Sequence, residues 1–168
     1  MANQVKKLEV SRRIETSANF VFEILANPGR HIDFDGSGML RGTVHEGSIS
    51  KVGDSFMMKM HRLGDDYLMI NHVVEFDQDN RIFWEPAPGD ISRAEGKDPS
   101  KIGVPAGYRW GYLVKPEGAN ATVVTEIFDY SALSDDLLRD DGSWINGKNS
   151  LIESMAASLA KLEQICIN

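Results

Sequence analysis

GYRWGYLVKPEGANATVVTEIFDYS, residues 107–131, and SLIESMAASLAKLEQIC, residues 150–166, together decide the fold. The first stretch holds two runs rich in β-branched and aromatic residues, separated by Glu117-Gly118-Ala119-Asn120, and reads as a hairpin of two strands. The second places Leu151, Met155, Leu159, Leu162 and Cys166 at steps of three and four, which puts them on one face of a helix. At 1.5 Å per residue such a helix is about 25 Å long, enough to cross a whole sheet.

Alternation along the hairpin assigns its faces. With residues 117–120 as the turn and Pro116 near Ala121, Tyr108, Trp110, Tyr112 and Val114 are expected on the same face as Val124, Glu126 and Phe128. The opposite face carries Arg109, Lys115, Thr125 and Asp129. The first set is the more apolar and is assigned inward, which leaves Glu126 as a carboxylate among aromatic rings.

Upstream, the chain supplies the rest of an antiparallel sheet. Residues 5–15, with Val5, Leu8, Val10 and Ile14 among charges, read as a strand. Ser17 then caps a helix whose stripe is Phe20, Val21, Ile24 and Leu25, stopped at Asn27-Pro28. A short helical turn to Asp33 follows. Further strands are expected before Gly47, in DSFMMKMHRL with its stripe Phe56, Met58 and Met60, in DYLMINHVVEFD, and in RIFWEPAP. Gly64-Asp65 is the expected hairpin turn between the second and third of these. Residues 87–105 read as a long loop, and residues 134–148 as an acidic loop carrying Trp144.

The strand over residues 67–77 is ambiguous. Tyr67, Met69, Asn71 and Val73 lie on one side; Leu68, Ile70, His72, Val74 and Phe76 lie on the other. A two-residue turn pairs the first set with Met58 and Met60, and a three-residue turn pairs the second, so His72 moves in or out with that choice. Consecutive hairpins with helices at the ends make an α+β architecture, one domain over residues 1–168.

Composition narrows the partners. The 168 residues carry a formal net charge of −7, which argues against nucleic acid and against anionic membrane surfaces. No run approaches the ~20 apolar residues of a membrane span, and the N-terminal residues lack the apolar core of a signal peptide; the cytoplasm is the expected location. The single cysteine, Cys166, cannot form an internal bridge and on an apolar helix face is expected to be inert.

Motifs for other chemistries fail on spacing. Gly36-Ser37-Gly38 has Arg41 where a dinucleotide loop needs its third glycine. His45-Glu46 begins a zinc-protease motif, but Ile49 stands where the second histidine belongs. The four histidines, His31, His45, His61 and His72, never recur at i, i+2 or i, i+4, and His61 is expected opposite Leu68, so neither metal nor cofactor is expected.

What remains is a concave apolar volume between sheet and helix, a setting for small ligands. Its expected lining is Phe56, Met58, Met60, Trp84, Trp110, Phe128 and Met155, the methionines giving a pliable wall. Glu126 is the leading candidate for acid–base chemistry, because burial disfavours a carboxylate's charged form and raises its pKa; His72 and Tyr112 are candidate assistants. Plainer readings also stand: Glu126 paired with Arg41 or Arg109, or accepting the Trp110 indole N–H.

The order of elements resembles the START-like, helix-grip superfamily (SRPBCC), in particular its polyketide cyclase/dehydrase and lipid-transport group. The resemblance is carried by KKLEVSRRIETSANFVFEILANP, VVEFDQDNRIFWEPAPG, the residue 107–131 hairpin and the terminal helix. It implies a curved seven-stranded antiparallel sheet wrapped around a long C-terminal helix with an internal cavity. It further implies binding of a hydrophobic small molecule, lipid-like or polyketide-like, by a monomer or homodimer. A cyclase or dehydrase using the same cavity is the alternative, and a chaperone-activator-like interaction module a third. The group shares no catalytic signature to carry over, and fold does not by itself set function.

Overall fold

The computed structural model describes residues 6–44, 47–133 and 147–168. Seven antiparallel strands form one sheet in the order β1-β7-β6-β5-β4-β3-β2. They are β1 (Lys7–Ile14), β2 (Leu40–Thr43), β3 (Ser55–Arg62), β4 (Asp65–Asp77), β5 (Arg81–Pro88), β6 (Arg109–Pro116) and β7 (Thr122–Asp129). The helices are α1 (Ala18–Leu25), the short α2 (His31–Phe34) and α3 (Gly147–Ile167). The sheet curls around α3, which is the helix-grip arrangement expected from the sequence. Trp144, His45 and Glu46 lie outside the described residues.

The face of α3 turned to the sheet carries Leu151, Met155, Leu159 and Leu162, all essentially buried, with Cys166 half-buried beside them. The three-and-four spacing that makes the helix amphipathic is therefore the spacing that packs it. Cys166 sits against the apolar core, and burial pushes its thiol up to about 11, so it is a thiol rather than a thiolate near neutrality. Ser17 caps α1, accepting the Phe20 N–H on its hydroxyl. The buried stripe of α1 is Val21, Phe22, Ile24 and Leu25; Phe20 is exposed and Phe22 takes its expected place, its ring edge-on to Phe76 at 5.5 Å.

Two turns settle the registers. Between β3 and β4, Arg62 pairs with Asp65, so the turn is Leu63-Gly64, one residue earlier than expected. Both turn residues have positive φ (51° and 83°), the conformation that suits tight hairpins. The two-residue turn pairs Met58 with Met69 and Met60 with Tyr67, which turns Tyr67, Met69 and Asn71 inward and His72 outward. His61 consequently stands opposite Asp66 rather than Leu68, and its Nδ1 lies 2.7 Å from that carboxylate. Between β6 and β7, Pro116 pairs with Thr122, one residue on from the expected Ala121. That even register is what sets Tyr112 opposite Glu126 and Trp110 opposite Phe128.

A β-bulge at Val74 breaks the alternation of β4: Val73 pairs with Trp84, but Glu75 pairs with Phe83. The extra residue returns Phe76 to the inner face beside Ile82 and sends Glu75 outward. There Glu75 meets Arg109 at 2.7 Å and Arg81 at 3.2 Å. On the same convex face the Phe83 ring lies flat over Gly111. A Cβ on Gly111 would fall 2.2 Å from that ring, so only glycine fits.

Candidate functional site

Between the concave face of the sheet and α3 lies a cavity of about 430 Å³, within the range of small-molecule sites. The sheet contributes Met58, Met60, Tyr67, Met69, Asn71, Trp84, Trp110, Tyr112 and Glu126. The helix contributes Leu151, Ser154, Met155 and Ser158, α2 with its following loop contributes His31, Phe34, Asp35 and Met39, and the start of β2 adds Leu40. The loop is clasped to α3. The Gly36 N–H donates to Ser158 Oγ at 2.8 Å, that hydroxyl donates to the Ser154 carbonyl at 3.0 Å, and Lys161 Nζ donates to the Asp35 carbonyl at 2.9 Å. A Cβ on Gly36 would lie 2.4 Å from the Ser154 carbonyl, so this approach requires glycine.

Glu126 is buried in this setting. Desolvation pushes its carboxyl up to about 8; the nearby Asp35 charge adds to that, and a hydrogen bond from the Tyr112 hydroxyl works against it. Its Oε2 is buried with no hydrogen-bond partner among the described residues. Neither expected basic partner reaches it. Arg109 is committed to Glu75 on the outer face, and Arg41 donates to the Gly38 carbonyl. The donor that reaches Glu126 is Tyr112, not the Trp110 indole. Burial, then the Glu126 charge and hydrogen bond, raise the Tyr112 hydroxyl pKa well above its ordinary value.

Of the expected lining, Met58, Met60, Trp84, Trp110 and Met155 face the cavity. Phe56 and Phe128 do not. Phe56 lies behind the wall, edge-on to Trp84 at 5.4 Å and to His31 at 5.8 Å. Phe128 is covered by Trp110 at 4.4 Å and Tyr130 at 5.6 Å. His72 is outside altogether: its Nε2–H donates to the Gly103 carbonyl at 2.9 Å and pins the long β5–β6 loop to the convex face. The two-residue turn is the reason for this placement.

The sequence reading missed His31. It stacks on Trp84 at 5.6 Å, and its Nε2–H donates to the Leu25 carbonyl at 2.7 Å. Burial lowers its pKa to about 4, so the ring is neutral at physiological pH. Its only signal was a polar residue just after Asn27-Pro28, which no periodicity could place. Asn71, Ser154 and Ser158 were missed for the same reason: each is one polar position on an otherwise apolar face.

The fold recurs in solved structures. The major latex-like protein 151 of Panax ginseng matches with a TM-score of 0.65 at 15% identity, over 98% of this chain and 99% of that one. Protein CV1439 of Chromobacterium violaceum matches with a TM-score of 0.64 at 10% identity, over 97% and 99%. Protein Ms6760 of Mycobacterium smegmatis matches with 0.65 at 13%, over 96% and 95%. In sequence, the uncharacterized protein Rv0088 of Mycobacterium tuberculosis is 30% identical over 125 residues, 73% of this chain. The chain spans about half the length of that curated relative, 48%. No protein-family model matches. Among the described residues, no helix is long and apolar enough to cross a membrane.

Proposed function

We propose that the chain is a single START-like domain that binds a hydrophobic small molecule, lipid-like or aromatic, in the cavity between sheet and α3. The observation that carries this reading is a 430 Å³ cavity whose wall is mostly apolar, with Met58, Met60, Trp84, Trp110 and Met155 prominent in it. An apolar ligand there gains by leaving water, and the methionines let the wall follow its shape. Native mass spectrometry of the freshly purified protein, followed by denaturing extraction, tests it. A stoichiometric apolar molecule supports the reading. A protein that is empty and also takes up no apolar fluorophore overturns it.

One observation favours a second reading, an enzyme of the polyketide cyclase/dehydrase kind. A carboxyl poised at about 8 beside a tyrosine hydroxyl can give and take a proton near neutral pH. In this reading Glu126 is the acid–base residue and Tyr112 its partner. Loss of turnover in Glu126→Gln with ligand affinity retained, against candidate aromatic polyketide substrates, would support it; turnover unchanged in that variant would remove Glu126 from the mechanism.

A further inference from the structure

The cavity is polarised. Its inner part holds the buried Glu126 and Tyr112 with Asp35 near them, and its one histidine, His31, is neutral. Its rim holds two cations, Arg62 and Arg93, both close enough to Tyr67 to act on its hydroxyl. The Arg93 guanidinium lies 3.7 Å from the Tyr67 ring centroid. Among the described residues, no carboxylate comes within 4.0 Å of either guanidinium, although the chain has 25 acidic residues and only 18 lysines and arginines. Every other arginine that forms an ion pair here does so on the outer surface: Arg12, Arg13, Arg30, Arg81 and Arg109. Two unneutralised guanidinia over an apolar cavity, in an acidic chain, make a receptor for an anion attached to an apolar body.

We propose that the ligand is an amphipathic organic acid, its carboxylate held at the rim between Arg62 and Arg93 and its apolar body directed inward past Tyr67 toward Tyr112 and Glu126. The polarity fixes the orientation. A carboxylate carried inward would meet the Asp35 charge and the Glu126 carboxyl with no cation to balance it. At the rim it meets two fork-shaped donors, still partly hydrated, so its desolvation stays small. Tyr67 holds the Arg93 guanidinium in place by cation–π contact, which reduces the side-chain freedom lost on binding.

This inference rests on the binding reading above, and one experiment separates their failures. The neutral fluorophore N-phenyl-1-naphthylamine is bound to the protein at pH 7 and displaced with decanoate or with decan-1-ol, which share a chain and differ in head group. The expected result is displacement by decanoate at a roughly tenfold or more lower concentration than by decanol. In Arg62→Gln/Arg93→Gln that preference collapses toward one, while the fluorophore still binds and so reports an intact cavity. Equal displacement of the wild type by both compounds overturns the anion site and leaves the cavity reading standing; so does a preference that survives in the double variant. Failure of the wild type to bind fluorophore, decanoate and decanol alike overturns both. Should the double variant not fold, the wild-type comparison decides alone.

Discussion

Tyr112 and Glu126 face each other across β6 and β7 as a directly paired couple, both buried, with the phenol hydrogen-bonding to the carboxyl. The bond favours the ionised carboxylate, while burial favours the neutral acid, and burial wins. A Tyr112→Phe substitution removes the one force holding the Glu126 pKa down. The Glu126 carboxyl is then expected to titrate above its present value of about 8, read by carbon NMR of the labelled side chain. Stability should fall by about 1 kcal/mol for the lost bond at low pH, where the acid is neutral in both proteins.

Two of the buried titratable groups, Glu126 and His31, act in opposite senses on stability. Glu126 has a folded pKa near 8 against an ordinary 4.5, so its contribution is complete below 4.5 and is lost as pH rises through 8. His31 has a folded pKa near 4 against 6.5, so its contribution is complete above 6.5 and is lost as pH falls through 4. Between 4.5 and 6.5 the two slopes oppose each other. Stability read by urea unfolding should therefore be flat across that window and decline from pH 6.5 to 8 by about 2 kcal/mol. Glu126→Gln should abolish the alkaline decline and turn the flat window into a decline as pH falls from 6.5 toward 4, because the His31 slope is no longer opposed. A wild-type midpoint that does not move between pH 6.5 and 8 would contradict the buried, raised Glu126.

Met155 lies on the buried face of α3 and lines the cavity. Met155→Trp adds bulk into open space rather than into packed core, so the overpacking cost should stay within about 1–3 kcal/mol. Binding of an apolar fluorophore should weaken strongly in the same variant. Retained affinity would mean that ligands sit elsewhere.

His72 offers the converse control. His72→Ala removes one hydrogen bond to the Gly103 carbonyl on the convex face, with an expected loss of about 1 kcal/mol. Hydrogen exchange in residues 99–106 should accelerate, and fluorophore binding should be unchanged.

How far these features could be read from the sequence depended on contrast between faces. Tyr108, Trp110, Tyr112 and Val114 alternate with Arg109, Gly111, Leu113 and Lys115, so β6 reveals its inner face by composition alone, and Glu126 follows from pairing. With Pro116 opposite Ala121 the partner of Tyr112 would be Thr125; the observed step to Thr122 brings Glu126 opposite Tyr112, on the side that apolar composition selects. Strand β4 has no such contrast: Tyr67, Met69 and Asn71 are no more apolar than Leu68, Ile70 and His72. There the side was decided by backbone twist at Leu63-Gly64, and a leucine at positive φ is not a turn signal. The bulge at Val74 then reversed the remainder of the strand. Phe56 and Phe128 were read as cavity residues because alternation names a face and not a depth. Other rings cover both.

The pairing of β1 with β7 joins Lys7 to Asp129, two positions far apart in the sequence. A nascent chain can zip β3, β4 and β5 as they emerge, since each pairs with its sequence neighbour. The β1 segment, however, has no partner until residue 129 has been made, and the part of the inner face that α1 and α2 leave open has no cover until α3 follows. Non-local closure of this kind slows folding. The hydrophobic hollow closes only when α3 docks, so any molecule it holds must enter the closed cavity or be trapped as that helix docks.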